Sequence, residues 1–294
     1  MVLLDGKKIS DDIKFELRTQ VAELRNTYGK VPGLVTILVG DNSASQSYVS
    51  SKVKACSELG MNSKFEKLGN DISEEELLRI IENYNKDENF HGILVQLPLP
   101  KHINEDRIIE SINPDKDVDG FHPISVGRLV IGKDTFLPCT PAGIQELFRR
   151  YKIETKGKHV VVVGRSNIVG KPVANIMLQK KDYANSIVTI CHSAAKDLGQ
   201  YTRAADIIIA AIGQASFITG DMVKEGAVVI DVGINRVEDA NSAKGYKIVG
   251  DVNFDEVAPK CSYITPVPGG VGRMTVAMLM VNTYKAFVKS NIRD

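Results

Sequence analysis

The chain has 294 residues, of which 43% are hydrophobic and 25% charged, and its formal net charge is +1. This profile suits two globular domains with real cores, and near-neutrality removes any bulk electrostatic reason to expect nucleic acid or an anionic membrane surface. No apolar run approaches the roughly 18 residues of a membrane helix, and the N-terminus, MVLLDGKKISDDI, is too short and too acidic for a signal peptide. Four cysteines (Cys56, Cys139, Cys191, Cys261) lack C-x-x-C spacing and the histidines do not cluster, so neither a metal site nor a disulfide framework is expected. A reducing, cytoplasmic compartment fits best.

Helix and strand patterns alternate along the chain, which predicts an α/β fold with mostly parallel sheets. Residues 10–28 read as an amphipathic helix and 33–39 as a buried strand. Residues 45–59 form a helix closed by Gly60, and 73–85 another, opened by a Ser73–Glu76 capping box. A strand over 92–97 stops at Pro98 and Pro100, and a turn-rich stretch, 113–141, holds the crossing into a second domain. After a helix at 141–151, strands near 160–163, 187–191, 206–212 and 227–232 supply a second sheet. A glycine-rich loop at 266–272 precedes a last helix over about 274–289.

The most informative stretch is VVVVGRSNIVGKP, residues 160–172. Four valines read as a strand buried on both faces; a Gly164-Arg165-Ser166 turn follows, and Gly170 opens a helix. Strand, glycine turn and helix N-terminus present backbone N–H groups and a positive helix end to a phosphate. It is not a P-loop, because five residues separate the glycines and Lys171 is followed by Pro172. It is not a literal G-x-G-x-x-G either, since Ser166 stands at the second glycine position, although a small residue there still admits a pyrophosphate. The next strand ends in His192-Ser193, with no acid to hold the ribose hydroxyls as an NAD site usually requires. Arg165 and Ser193 instead suit a ribose 2′-phosphate. Charge-assisted bonds of about 1.5–3 kcal/mol, roughly 10- to 100-fold in affinity, predict NADP over NAD.

Three polar residues in the first half stand out. Tyr48 and Lys52 are four apart on one helix and share a face beside the Val49, Val53 and Cys56 stripe, while Lys54 points away. A lysine at the edge of a core either lets its ammonium reach solvent or needs a partner. The Tyr-x-x-x-Lys pair of short-chain dehydrogenases follows the cofactor loop, whereas this one precedes it, which argues against that family. Gln96 interrupts the apolar run Ile93-Leu94-Val95-Gln96-Leu97, where an amide must find a hydrogen bond. It lies near the carboxyl end of a predicted strand, where α/β sheets bind ligands. Asp115-Lys116-Asp117-Val118-Asp119-Gly120 resembles the opening of an EF-hand loop, but the twelfth position is Val126 and no helix is expected to flank it, so calcium is not expected.

Together these segments resemble the bifunctional methylenetetrahydrofolate dehydrogenase/cyclohydrolase family. The matching stretches are YVSSKVKAC (48–56), GILVQLPLP (92–100), DKDVDGFHP (115–123), PCTPAG (138–143), VVVGRSNIVGKP (161–172), VVIDVGIN (228–235) and TPVPGGVG (265–272). The resemblance implies NADP-dependent oxidation of methylenetetrahydrofolate to methenyltetrahydrofolate, then hydrolysis to 10-formyltetrahydrofolate. It implies a cytosolic homodimer of two α/β domains: a catalytic folate-binding domain, 1–138, completed by a returning C-terminal helix, 273–294, and a Rossmann-like NADP-binding domain, 139–272. Carried over, Lys52 is the catalytic amine, Tyr48 orients the folate, Gln96 holds Lys52 and Asp119 anchors the pterin. Val95, Leu97 and Pro268, Gly269, Gly270, Val271 and Gly272 line the folate site. Thr140, Gly164, Arg165, Ser166, Ser193, Ile234 and Thr275 contact the cofactor.

Two departures temper this. The family motif usually continues Gly-Val-Gly-Pro, but residue 273 is Arg, which meets an unfavourable dipole in a first helical turn. Residues 180–185 also lengthen the approach to the second cofactor strand, with the potential to displace Ser193. The competing readings are another two-domain NADP dehydrogenase acting on a small carboxylic substrate, and a dinucleotide sensor with a degenerate catalytic half.

Overall fold

The structure, a computed structural model, describes residues 1–240, 242 and 245–292. It divides into two compact units: Asp11–Cys139 with the chain from Val276 onward, and Met1–Ser10 with Thr140–Thr275.

The first unit is built on a three-stranded parallel sheet in the order Asn62–Leu68, Gly33–Val39, Gly92–Val95. The central strand, GLVTILV, is buried at every position, as expected where helices cover both faces of a parallel sheet. Its Val35, Ile37 and Val39 pack with Ile93 and Val95 against Leu77 and Ile81 of helix Glu74–Lys86 and Ile108 of helix Glu105–Ser111. The edge strand NSKFEKL is polar and half exposed, which is why its apolar pattern is too weak to predict. The strand expected over 92–97 ends at Val95, so Gln96 begins the loop, with its backbone N–H on Ile37 O.

The stretch read as turns without helices is bounded by Glu105–Ser111 and contains Pro123–Val130. The expectation that no helix flanks Asp115–Gly120 is therefore wrong. Helices of seven and eight residues hold barely two turns, too few to show a period. Their starts are set by local chemistry instead: Asn104 and His122 side chains accept from backbone N–H groups of Arg107 and Ile124.

The helix Val271–Asn291 returns to this unit, as predicted. Cys56 Sγ lies 3.5 Å from Met280 Sδ, the His91 and Phe287 rings meet edge-on at 4.8 Å, and Lys289 pairs with Asp115 at 2.6 Å. The final two residues of the expected C-terminal segment, 293 and 294, lie outside the described residues.

The second unit carries a six-stranded, all-parallel sheet in the order Val2–Leu3, Tyr263–Ile264, Val228–Asp231, Ile207–Ala210, His159–Val163, Ile187–Cys191. Apart from the N-terminal strand added at one edge, this is the doubly wound order 2-1-3-4-5. Strand order reverses between His159–Val163 and Ile207–Ala210, the switch point at which such sheets bind ligands beyond their carboxyl ends. Val160 to Val163 are all fully buried. The expected Rossmann-like sheet is thus present. Among the described residues no helix is long and apolar enough to cross a membrane.

Candidate active site

Helix Ser43–Leu59 presents Tyr48 and Lys52 one turn apart. Val49, Cys56 and Leu59 anchor its inner face, while the Lys54 side chain is 77% exposed and pairs with Glu58. Lys52 is 6% exposed, unusual for an ammonium. Its Nζ donates to Gln96 Oε1 at 2.9 Å, and Gln96 Nε2 donates to Leu97 O at 2.8 Å. The second bond orients the amide so that its oxygen faces Lys52. The helix and the carboxyl end of Gly92–Val95 therefore deliver these two residues to one place.

Asp119 joins them. Burial raises its carboxyl above the usual aspartate range, while the positive charge of Lys52 and a hydrogen bond from Cys139 pull the other way. Burial lifts the Cys139 thiol well above its ordinary value, and the negative charge of Asp119 adds to that. The loop carrying Asp119 is shaped by Asp117, whose carboxylate accepts from the backbone N–H groups of Gly120, Phe121 and His122. Burial pushes Asp117 up to about 6 against those bonds. Gly120, at φ +75°, lets this loop lie on the 136–138 segment: a Cβ would come 2.7 Å from Pro138 N and 2.8 Å from Phe136 O. Tyr48 stays 37% exposed beside the buried Lys52, with Val95 at the end of its strand.

The second group of expected site residues belongs to the other unit. Val163 and Cys191 are register partners, and Gly164 N–H donates to Cys191 O at 2.8 Å. Gly164-Arg165-Ser166 and His192-Ser193 therefore leave the sheet side by side, with Arg165, Ser166 and Ser193 exposed. The 180–185 segment lies at the far end of the strand Ile187–Cys191 from Ser193. There, at the amino-terminal edge, Asn185 N–H bonds to Gln179 O and Gly157 N–H to Asn185 O. Gly164 has φ +130°, and a Cβ there would overlap the Ala211 carbonyl; a Cβ on Gly170 would overlap Gly164 O. This is a backbone cradle at the switch point of the sheet. Ser166 Oγ accepts from the N–H groups of Val169 and Gly170, tying the turn to the start of the helix Gly170–Leu178.

Thr140 and Thr275 touch through their hydroxyls at 2.9 Å, and Ile234 is half exposed with Gly272 packed near its side chain. The loop holding Pro268 to Gly272 is tied to the N-terminus by Lys7 N–H on Gly269 O, and Gly6 packs on the Gly270 carbonyl. Arg273 is exposed in the first turn of Val271–Asn291, with its N–H on Gly270 O at 3.2 Å. Among the described residues no group of His, Cys, Asp or Glu is arranged to hold a metal ion.

The model of the tetrahydrofolate dehydrogenase/cyclohydrolase catalytic domain matches residues 4–119, and that of its NAD(P)-binding domain matches residues 138–291. The chain belongs to the tetrahydrofolate dehydrogenase/cyclohydrolase family. It is 59% identical over 289 residues to the bifunctional protein FolD of Chloroherpeton thalassium, covering 98% of each chain. The solved bifunctional FolD methylenetetrahydrofolate dehydrogenase/cyclohydrolase of Campylobacter jejuni superposes with TM-score 0.93 at 52% identity, over 99% of both chains. The Trypanosoma brucei methylenetetrahydrofolate dehydrogenase-cyclohydrolase, solved with NADP cofactor and an inhibitor, gives TM-score 0.94 at 40% identity over 100% of this chain and 99% of that one.

In this member of the tetrahydrofolate dehydrogenase/cyclohydrolase family, sequence reasoning left several supporting residues unread. Cys139 counted only as one of four scattered cysteines and Asp117 only as part of the EF-hand-like run 115–120. Asp231 and Asp251 lace the loops of the nucleotide-type sheet: Asp231 accepts from the N–H groups of Gly233, Asp251 and Val252, and Asp251 from those of Ile212 and Gly213. Asp231 does carry a legible signal, because it ends the apolar strand VVID much as Gln96 directly follows GILV.

Proposed function

We propose that this protein oxidises 5,10-methylenetetrahydrofolate to 5,10-methenyltetrahydrofolate with NADP and hydrolyses that product to 10-formyltetrahydrofolate. The reading is carried by the bond from buried Lys52 to Gln96, with the Asp119 carboxyl within reach of the lysine's charge. Family membership supplies the reaction class; this cluster supplies residues able to perform it.

In hydrolysis, water adds to the methenyl carbon and gives up a proton. The bond from that carbon to N5 breaks as the resulting hydroxyl loses its own proton to become the formyl carbonyl, and N5 takes one proton up, so that one proton is released overall. Lys52 is the side chain placed to move those protons, and Gln96 holds it by accepting one of its N–H bonds. Asp119 faces the same point and anchors the pterin by hydrogen bonding, while exposed Tyr48 offers a ring to orient the folate. Val95 and Leu97 flank Gln96 and line the site on this unit.

The residues at the carboxyl edge of the six-stranded sheet fit a dinucleotide. Gly164 and Gly170 leave a cradle that any side chain would fill, and Arg165, Ser166 and Ser193 supply exposed donors beside it. With no acid after Ile187–Cys191 and an arginine at hand, a ribose 2′-phosphate is favoured over a free hydroxyl. Thr140, Ile234 and Thr275 complete the expected contacts. When bound, NADP accepts the hydride of the methylene group. We further infer a cytoplasmic homodimer acting on a free small-molecule folate, without nucleic acid or membrane, on the strength of family resemblance and near-neutral charge.

The deciding assay adds methylenetetrahydrofolate and NADP and follows the absorbance of NADPH and of methenyltetrahydrofolate. NADPH forming while the methenyl signal rises and then decays is the expected result. NADPH without methenyl decay removes the hydrolase half, and no NADPH at all returns the reading to a sensor or to a dehydrogenase of small carboxylates.

A further inference from the structure

One buried polar side chain has no part in the mechanism above. Asn282 sits on the C-terminal helix at 2% exposure, among the buried Leu279, Met280, Ala286 and Phe287. A primary amide in such surroundings is costly unless both its N–H groups are satisfied. Asn282 Nδ2 donates to Val118 O at 2.8 Å and to Leu137 O at 3.0 Å. Val118 is the residue before Asp119, and Leu137 precedes Pro138, on which Gly120 packs. Cys139, the hydrogen-bond partner of the Asp119 carboxyl, has its Sγ 3.8 Å from the same Asn282 nitrogen and 3.5 Å from Val118 O. One amide thus holds together the backbone just before Asp119 and the 136–138 segment on which Gly120 packs.

We propose that Asn282 is a positioning residue for the folate site, acting through Asp119. By holding the carbonyl that precedes Asp119, it fixes where that carboxyl stands relative to Lys52. Asn282 is too deeply buried to touch a ligand itself, so its influence on folate passes through the 118–120 backbone. This inference rests on the reading of Asp119 as the pterin anchor.

The test is a double-mutant cycle of Asn282→Ala and Asp119→Asn, reading KM for methylenetetrahydrofolate, KM for NADP and the thermal midpoint of each variant. Asn282→Ala is expected to raise the folate KM about 10-fold, the scale of one lost hydrogen bond, and to leave the NADP KM unchanged. Added to Asp119→Asn, it raises the folate KM less than about twofold further, because residues acting through one another are not additive. An unchanged folate KM in Asn282→Ala, beside a raised one in Asp119→Asn, overturns the inference alone. Fully multiplicative effects also overturn it, since they describe a general structural role. An unchanged folate KM in Asp119→Asn overturns the anchor reading and this inference with it. If Asn282→Ala does not yield folded protein, Asn282→Ser, which keeps one donor, enters the same cycle under the same criteria.

Discussion

Lys52 Nζ donates to Gln96 Oε1 at 2.9 Å, and Gln96 in turn donates to Leu97 O at 2.8 Å, so the lysine is held by a side chain whose own orientation is fixed. Lys52→Met keeps the aliphatic stem and removes the charge. Cyclohydrolase activity should fall at least about 10²-fold, the usual contribution of a proton-transfer group, with the circular dichroism spectrum and thermal midpoint close to wild type. Hydrolysis at the wild-type rate in this variant removes Lys52 from the mechanism.

Cofactor choice is the second test. Arg165 is exposed beside Ser193 at the edge of the sheet, and losing a charge-assisted pair of about 1.5–3 kcal/mol should raise the NADP KM about 10- to 100-fold in Arg165→Ala. The KM for NAD should barely move, because NAD has no 2′-phosphate. Steady-state kinetics with both cofactors decide it, and wild-type turnover better with NAD than with NADP contradicts the preference outright.

Gly164 combines a φ of +130° with a neighbouring Ala211 carbonyl that leaves no room for a Cβ. Strain of about 1–3 kcal/mol from the backbone adds to overpacking of about 1–3 kcal/mol. Gly164→Ala should therefore lower stability by several kcal/mol in urea titration, and the surviving folded protein should bind NADP poorly. A midpoint equal to wild type would show that the 164–166 turn can reshape without loss.

His91 makes the acid limb of stability testable. Its Nδ1 accepts the Gly33 N–H at 3.1 Å, so the ring is neutral in the fold. Burial lowers its pKa from 6.5 to about 4, helped by the charges of Lys116 and Lys30 and opposed by Asp87. Since the folded value lies below the unfolded one, the contribution is complete above pH 6.5 and is lost as pH falls toward 4. In urea titrations, the stability gap between wild type and His91→Gln should narrow over that interval. A gap independent of pH refutes the linkage.

The two polar residues most visible in the sequence, Gln96 and Lys52, were visible for one reason: each breaks an apolar pattern of known period, and a polar atom in such a place requires a partner. Asn282 breaks the run MLMVNTY in the same way, yet sequence could not say what it would hold, because Val118 and Leu137 come beside it only through the fold. Asp117 gave no such sign in the sequence for the same reason: its burial depends on the loop being folded back by three backbone amides. The short helices Glu105–Ser111 and Pro123–Val130 and the polar edge strand Asn62–Leu68 were missed because periodicity needs length and one-sided burial to show itself.

Sequence alone determined the α/β class, the buried valine strand with its glycine turn, the Tyr48–Lys52 face of one helix and the returning last helix. All of these follow from spacing along the chain, from backbone permissiveness at glycine or from motif resemblance. Only the tertiary structure decided that Lys52, Gln96, Asp119 and Cys139 gather in one cluster, and that Val163 and Cys191 run in register, so that the turns after them leave the sheet side by side. Those relations depend on strand order and register, which long-range packing sets and no local pattern encodes.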